Sequence, residues 1–174
     1  MWVVAIVKRN SEKIIRDQLR EEGYDAYVAT QTLMRRYEKR RPKAVEYVRL
    51  PAKVFLRMAP LKSAKARSEF FKNHPSVTSF MTDRAKDNRG WAEIPDSQMR
   101  QMRAILGDTD NEVLFGMPDE SYAIGGRVKA IGGVLHGLEG FVASRGGKNY
   151  LCIEITGLDW ARISISKDRL EPLK

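Results

Sequence analysis

The chain has 174 residues, 43% of them hydrophobic, with 31 Lys and Arg against 22 Asp and Glu. That length holds one ordinary domain or two small ones, and the apolar content suffices for cores, which excludes a wholly disordered chain. The apolar opening, residues 2–7, runs straight into Lys8 and Arg9, whereas a secretory signal carries its charges first and a membrane span needs roughly 18 apolar residues, so a cytoplasmic protein is expected.

Residues 2–7, Trp-Val-Val-Ala-Ile-Val, form a β-branched run that predicts a buried central strand. Asn10 or Ser11 then supplies a helix N-cap, with Glu12 in the first turn. Ile14, Ile15, Gln18, Leu19 and Glu22 follow helical spacing, and Gly23 stops the helix. Residues 24–29 predict a second strand. The segment MRRYEKRRPK, residues 34–43, follows with six basic residues and one acid. Residues 45–49 and 54–58 predict two more strands joined around Pro51, residues 64–71 a short amphipathic helix, and residues 77–81 a further strand. Pro95, followed by Met99, Met102, Ile105 and Leu106, marks an amphipathic helix that Gly107 ends.

Residues 108–121 carry turn chemistry and hold the expected domain boundary, after which the pattern changes. Nine of the 13 glycines fall between residues 122 and 172, and Leu151, Ile153 and Ile155 alternate, as do Ala161, Ile163 and Ile165. Four or five short strands with tight turns are expected, folded as a small barrel. A helix here would carry interior glycines at about 1 kcal/mol each.

The net charge of +9 is uneven: residues 1–116 hold +8 of it and residues 117–174 only +1. A polyanionic partner is therefore favoured for the first part, the plain alternative being a basic protein whose charge only aids solubility. Chemistry is poorly supplied. His74 and His136 are isolated, Cys152 is the single cysteine in an alternating apolar run, and Asp83 and Asp87 sit among Arg84, Lys86 and Arg89 as loop charge. No metal set and no nucleophile with a base is visible, so no cofactor and no enzymatic activity are expected. The glycines of GGVLHGLEG, residues 132–140, lack the GK[ST] ending of a phosphate-binding loop and predict turns instead.

The segment GRVKAIGGVLHGLEGFV, residues 126–142, resembles the KOW motif. With WVVAIVKRNSEKIIRDQL (residues 2–19), RLPAKVFLRM (residues 49–58), VTSFM (residues 77–81), IPDSQMRQMRAIL (residues 94–106) and the closing LEPL (residues 170–173), nearly the whole chain resembles the NusG family of transcription elongation and antitermination factors. Leu50, Ala52 and Lys53 depart from the family's usual Phe, Gly and aromatic. With the dense charge of residues 34–43, they resemble the specialised paralogues of the RfaH, LoaP and UpxY types.

The resemblance implies an α+β fold: an N-terminal NGN domain over residues 1–110, an antiparallel sheet flanked by helices; a linker over 111–121; and an SH3-like KOW barrel over 122–174. It implies a monomer that docks the clamp helices of RNA polymerase, holds the clamp closed, and lies beside the non-template DNA strand. The apolar contact surface is expected at Phe55, Leu50, Val54 and Ile6. Val54 and Phe55 point to opposite faces of their strand, and one of those faces is core. Arg35, Arg36, Tyr37, Lys39, Arg40 and Arg41 are the candidate nucleic-acid residues, because the planar guanidinium pairs with phosphate and guanine edges and a tyrosine ring stacks on an unpaired base. Arg16 and Arg20, four apart on the first helix, extend that set or are ordinary surface charge. The barrel implies docking to ribosomal protein S10 or to the Rho termination factor through Leu135, His136, Leu138, Ile163 and Ile165, barrel core being the favoured reading of the two isoleucines. The competing reading is a KOW-containing RNA-binding or ribosome-associated protein, which the near-neutral barrel disfavours.

Overall fold

The computed structural model describes residues 1–57, 59–83, 87 and 90–174. It divides into two compact units: residues 1–29, 50–99 and 156–158 form the first, and residues 30–49, 100–155 and 159–174 the second.

The first unit is built on a four-stranded antiparallel sheet in the order β2-β5-β1-β6, with β1 Trp2–Val7, β2 Ala26–Tyr27, β5 Lys53–Arg57 and β6 Val77–Phe80. The β-branched run of β1 takes a central place, where both of its faces are covered, and only Ile6 keeps partial exposure. Helix α1, Glu12–Glu21, packs beside β2 and β5 and buries Glu12, Ile15 and Leu19. Ser11 precedes it, but its hydroxyl donates to the Lys8 carbonyl (2.5 Å) and does not cap the helix. The helix stops at Gly23, whose φ of +90° lets the chain reverse so that Tyr24 N–H donates to the Leu19 carbonyl (2.9 Å).

Glu12 shows how the turn before β5 is held. Its carboxylate is buried and accepts the Ala52 N–H at 2.7 Å, while the Ala52 carbonyl accepts the Val7 N–H at 3.0 Å. Burial alone would push the Glu12 carboxyl up. Backbone N–H donation from Ala52, Glu12 itself and Asn10, with the Arg9 charge, outweighs it and holds the carboxyl below its ordinary value. Ala52 sits at φ +60°, a left-handed conformation that glycine adopts without strain.

Helix α2, Ala64–Asn73, is capped by the Ser63 hydroxyl, which accepts the Ala66 N–H at 3.0 Å. Phe70 is buried among Tyr24, Phe71 and Phe80 with ring centroids 5.4–5.7 Å away, and Phe80 meets Trp91 edge-on at 4.6 Å. His74 closes this side. Its Nδ1 lies 2.8 Å from the Phe70 carbonyl and its Nε2 2.6 Å from the Glu22 carboxylate. Helix α3, Asp96–Leu106, begins where the Asp96 carboxylate takes the Trp2 indole N–H (2.7 Å) and Arg57 (2.5 Å).

The second unit holds the hairpin β3 Thr30–Arg35 with β4 Lys43–Val48, and a six-stranded antiparallel sheet in the order β12-β8-β9-β10-β11-β7. Its strands are β7 Val113–Phe115, β8 Ala123–Ala130, β9 Glu139–Arg145, β10 Lys148–Ile155, β11 Asp159–Ser164 and β12 Leu170–Pro172. The alternation expected of β10 and β11 is present: Leu151 pairs with Ile163 and Ile153 with Ala161, all buried on one face. Cys152 points to the other face and is covered by Tyr122 and Ala143; burial pushes its thiol up to about 11. At Gly140 a Cβ would press into the Cys152 carbonyl, so this crossing admits no side chain. The chain is thus α+β: a helix-flanked sheet near its N-terminus and an all-β SH3-like module at its C-terminus.

Three elements depart from the sequence reading. The predicted strand over 24–29 shrinks to two residues. A six-residue strand occupies Thr30–Arg35, where none was expected. Residues 113–115, read as linker, form an edge strand on β11. Met58, expected in a strand, lies outside the described residues, as do Arg84, Lys86 and Arg89. No helix among the described residues is long and apolar enough to cross a membrane.

Candidate nucleic-acid and polymerase interface

The basic run folds as the end of a two-stranded arm. β3 and β4 pair in register from Thr30↔Val48 to Arg35↔Lys43, which carries residues 36–42 out as the connecting turn. Lys39 takes φ +63° and Arg40 N–H donates to the Tyr37 carbonyl (3.2 Å), closing the reversal. Arg35, Arg36, Tyr37, Lys39, Arg40 and Arg41 are all exposed, with Tyr37 at 51%. Six cations and one acid in ten residues at a solvated tip make a focused positive end that suits an anionic polymer.

Within this group Arg35 is fixed. Its Nε donates to the Tyr47 hydroxyl at 3.0 Å, and its guanidinium lies 5.1 Å above the Tyr47 ring. That hydrogen bond raises the Arg35 pKa above its ordinary value. Arg16 and Arg20 serve α1 locally: Arg16 Nε pairs with Asp17 at 2.8 Å, and Arg20 Nε donates to the Ala26 carbonyl at 2.7 Å.

The apolar patch expected on the first unit is corrected. Phe55 and Val54 are fully buried and Leu50 nearly so. The reason lies in what covers the sheet. β5 sits inside it between β2 and β1, helix α1 packs against it, and the consecutive residues Val54, Phe55 and Leu56 are all buried, so both faces are covered. Phe55 lies across from Val4 and Tyr27, its ring 5.9 Å from that of Tyr27, and Val54 lies across from Ala5. A surface grip built on Phe55 has no physical basis. Ile6 alone of that set reaches solvent, half-buried at the end of β1 opposite Lys53 and Ser79. Half-exposed Phe71 and Trp91 add apolar surface to this unit that sequence reasoning missed, with Arg67 stacked 5.0 Å over Trp91.

In the C-terminal module Leu135, Ile163 and Ile165 are core and cannot offer contacts. His136 is exposed, its Nδ1 accepting the Gly132 N–H at 2.9 Å, and Leu138 is half-buried. The exposed apolar side chains beside them are Ile131 and Val134, at 39% and 61%. Their signal was available, as apolar residues between glycines of a turn. Among the described residues no group of His, Cys, Asp and Glu could hold a metal ion.

The family model described as transcription termination factor nusG matches residues 1–103. Two crystal structures of an MjSpt4:Spt5 complex, in conformations B and A, align over 100% of this chain and 97% and 99% of theirs, at 13% identity and TM-scores of 0.33 and 0.31, an overlay too loose to inform fold or function. No curated protein matches the chain. The matched segment covers more than half of the 174 residues, and the chain belongs to the NusG family of transcription factors.

Proposed function

We propose that this protein is a non-catalytic elongation and antitermination factor that binds RNA polymerase at its clamp helices and stabilises the closed clamp, thereby modulating pausing or termination. Stabilisation of this kind is a shift of population and needs tighter binding to the closed form than to the open one. Residues 1–110 act as the polymerase-binding domain and residues 122–174 as the KOW domain, joined through residues 111–121; the protein works in the cytoplasm as a monomer. The basic hairpin end, residues 35–43, reaches the non-template DNA strand beside the polymerase. The KOW module recruits a partner, ribosomal protein S10 or Rho, at the surface around His136, Leu138, Ile131 and Val134.

The observation that carries this reading is the hairpin: a charged, solvated tip at the end of a two-stranded arm, in a chain of the NusG family. Of the four residues first expected at the polymerase contact, Ile6 is the one that keeps partial exposure, which allows substitution without opening the core. The test is retention on immobilised core RNA polymerase, comparing the native chain with Ile6→Asp. Retention of the native chain and its loss in the variant, with an unchanged circular dichroism spectrum, supports the reading. Absence of retention of the native chain overturns it.

A further inference from the structure

Gln31 is a polar side chain in the interior, 1% exposed, and each of its hydrogen-bonding positions is used. Its amide nitrogen donates to the carbonyls of Asp108 (2.9 Å) and Asn111 (2.7 Å). Its amide oxygen accepts the Val113 N–H (3.0 Å) and Arg49 Nε (3.0 Å). Four partners saturate the side chain, and three of them belong to residues 108–113. The same stretch is gripped twice more. Met34 N–H donates to the Thr109 carbonyl (3.1 Å), and Arg49 Nη1 pairs with Glu112 (2.7 Å). Asp108 folds the stretch on itself, its carboxylate accepting the N–H groups of Asp110 and Asn111 at 2.8 and 2.7 Å.

The chain then passes directly onto the C-terminal sheet. Val113–Phe115 pair with β11 from Ile163↔Val113 to Ala161↔Phe115. Gly116 N–H donates to the Trp160 carbonyl (2.8 Å), and Arg162 Nη1 donates to the Gly116 carbonyl (2.6 Å). Tyr122 lies against Ala143 and Cys152, with the Arg145 and Arg162 guanidinium groups each 5.3 Å from its ring. A stretch so bonded along its length is not a tether.

We propose that residues 108–122 form a strap, latched by the buried Gln31 amide, that fixes the basic hairpin to the C-terminal module and makes them move as one body. A saturated buried amide favours one geometry sharply, because every alternative strands donors and acceptors away from water. The hairpin reaches the latch through its own side chains: Arg35 rests on Tyr47, Tyr47 meets the Arg49 guanidinium at 5.4 Å, and Arg49 holds Gln31 and Glu112. The positive tip is thereby presented at a fixed distance from the module. What the tip binds does not enter this inference, so a failure of polymerase retention leaves it standing.

The experiment uses the full chain. In the native protein, ¹⁵N relaxation gives hairpin and module amides one rotational correlation time, and the Met34 and Val113 amides are protected from hydrogen exchange. Gln31→Leu keeps the volume but strands all four partners, and the exchange of Met34 and Val113 rises about 10- to 100-fold. The amides of Leu151 and Ile163 in the same variant stay protected. If that variant does not fold, Gln31→Glu, which sets an acceptor against the Asp108 and Asn111 carbonyls while keeping the one for Val113 and Arg49, gives the same rise at Met34. Separate correlation times in the native chain, or unchanged Met34 exchange in a folded variant, overturn the latch.

Discussion

Removing charge from the hairpin tip gives a prediction whose size follows from the structure. Arg35, Arg36, Lys39, Arg40, Arg41 and Lys43 are all exposed, so each is free to neutralise a phosphate. On a single strand each neutralised phosphate adds about 0.7 to the slope of log affinity against log salt, so six contacts give a slope of about −4 and a loss of about 300-fold between 50 and 200 mM salt. Arg35 is bonded to Tyr47 and is left in place, to keep the arm intact. Arg36, Lys39, Arg40 and Arg41 make no side-chain hydrogen bond or ion pair with the described residues, so changing all four to Ala leaves the fold unaltered. With two cations remaining the slope falls to about −1.4 and the same salt change costs about 7-fold. Fluorescence anisotropy with a labelled single-stranded oligonucleotide, titrated at several salt concentrations, reads both slopes. Equal slopes for the two proteins would refute the assignment and leave the run as solubilising charge.

Three further outcomes test the packing. Glu12→Ala removes the charged acceptor of the half-buried Ala52 N–H and costs roughly 1–3 kcal/mol in urea denaturation at neutral pH. Because the folded carboxyl is held below its ordinary value, native Glu12 stabilises the fold above the unfolded pKa of about 4.3 and loses that contribution as pH falls further, so the native and Glu12→Gln stability curves converge in acid. Ala52→Gly relieves the left-handed backbone and raises stability by about 0.5–1 kcal/mol, measured as a higher urea midpoint at unchanged slope; a lower midpoint would show that φ +60° is not strained here. Gly140→Ala drives a methyl group into the Cys152 carbonyl and disrupts the C-terminal sheet, read as loss of exchange protection at Leu151 and Ile153, with the first unit's Val4 and Val54 unaffected.

The sequence made local pattern visible and left long-range placement hidden. The run of residues 2–7 has one reading because six apolar, mostly β-branched residues in succession suit only a covered strand, and it folds as β1 without a residue's difference. The helix from Asp96 was equally plain, with Pro95 before it and Gly107 after. Phe55 was not decidable in that way. Alternation assigns Val54 and Phe55 to opposite faces, but whether both faces are interior depends on what packs above and below the sheet, and that is settled by elements elsewhere in the chain, helix α1 among them. Gln31 was invisible for the same reason. Three of its four partners lie 77 to 82 residues away and the fourth, Arg49, 18 away, and a glutamine between two threonines carries no sign of burial. The basic tip needed only local charge to be noticed, yet the strand that lifts it out, Thr30–Arg35, has weak alternation and gains its order from pairing with β4 and from the latch.

Transcription by purified core RNA polymerase through a strong pause, with the native chain, the four-fold tip variant and Ile6→Asp added in turn, tests the proposed activity most directly. The account predicts that the native chain changes the pause lifetime, that Ile6→Asp loses the effect, and that the tip variant retains polymerase binding with a weakened effect. A pause lifetime that the native chain leaves unchanged, on polymerase that it occupies, would contradict it.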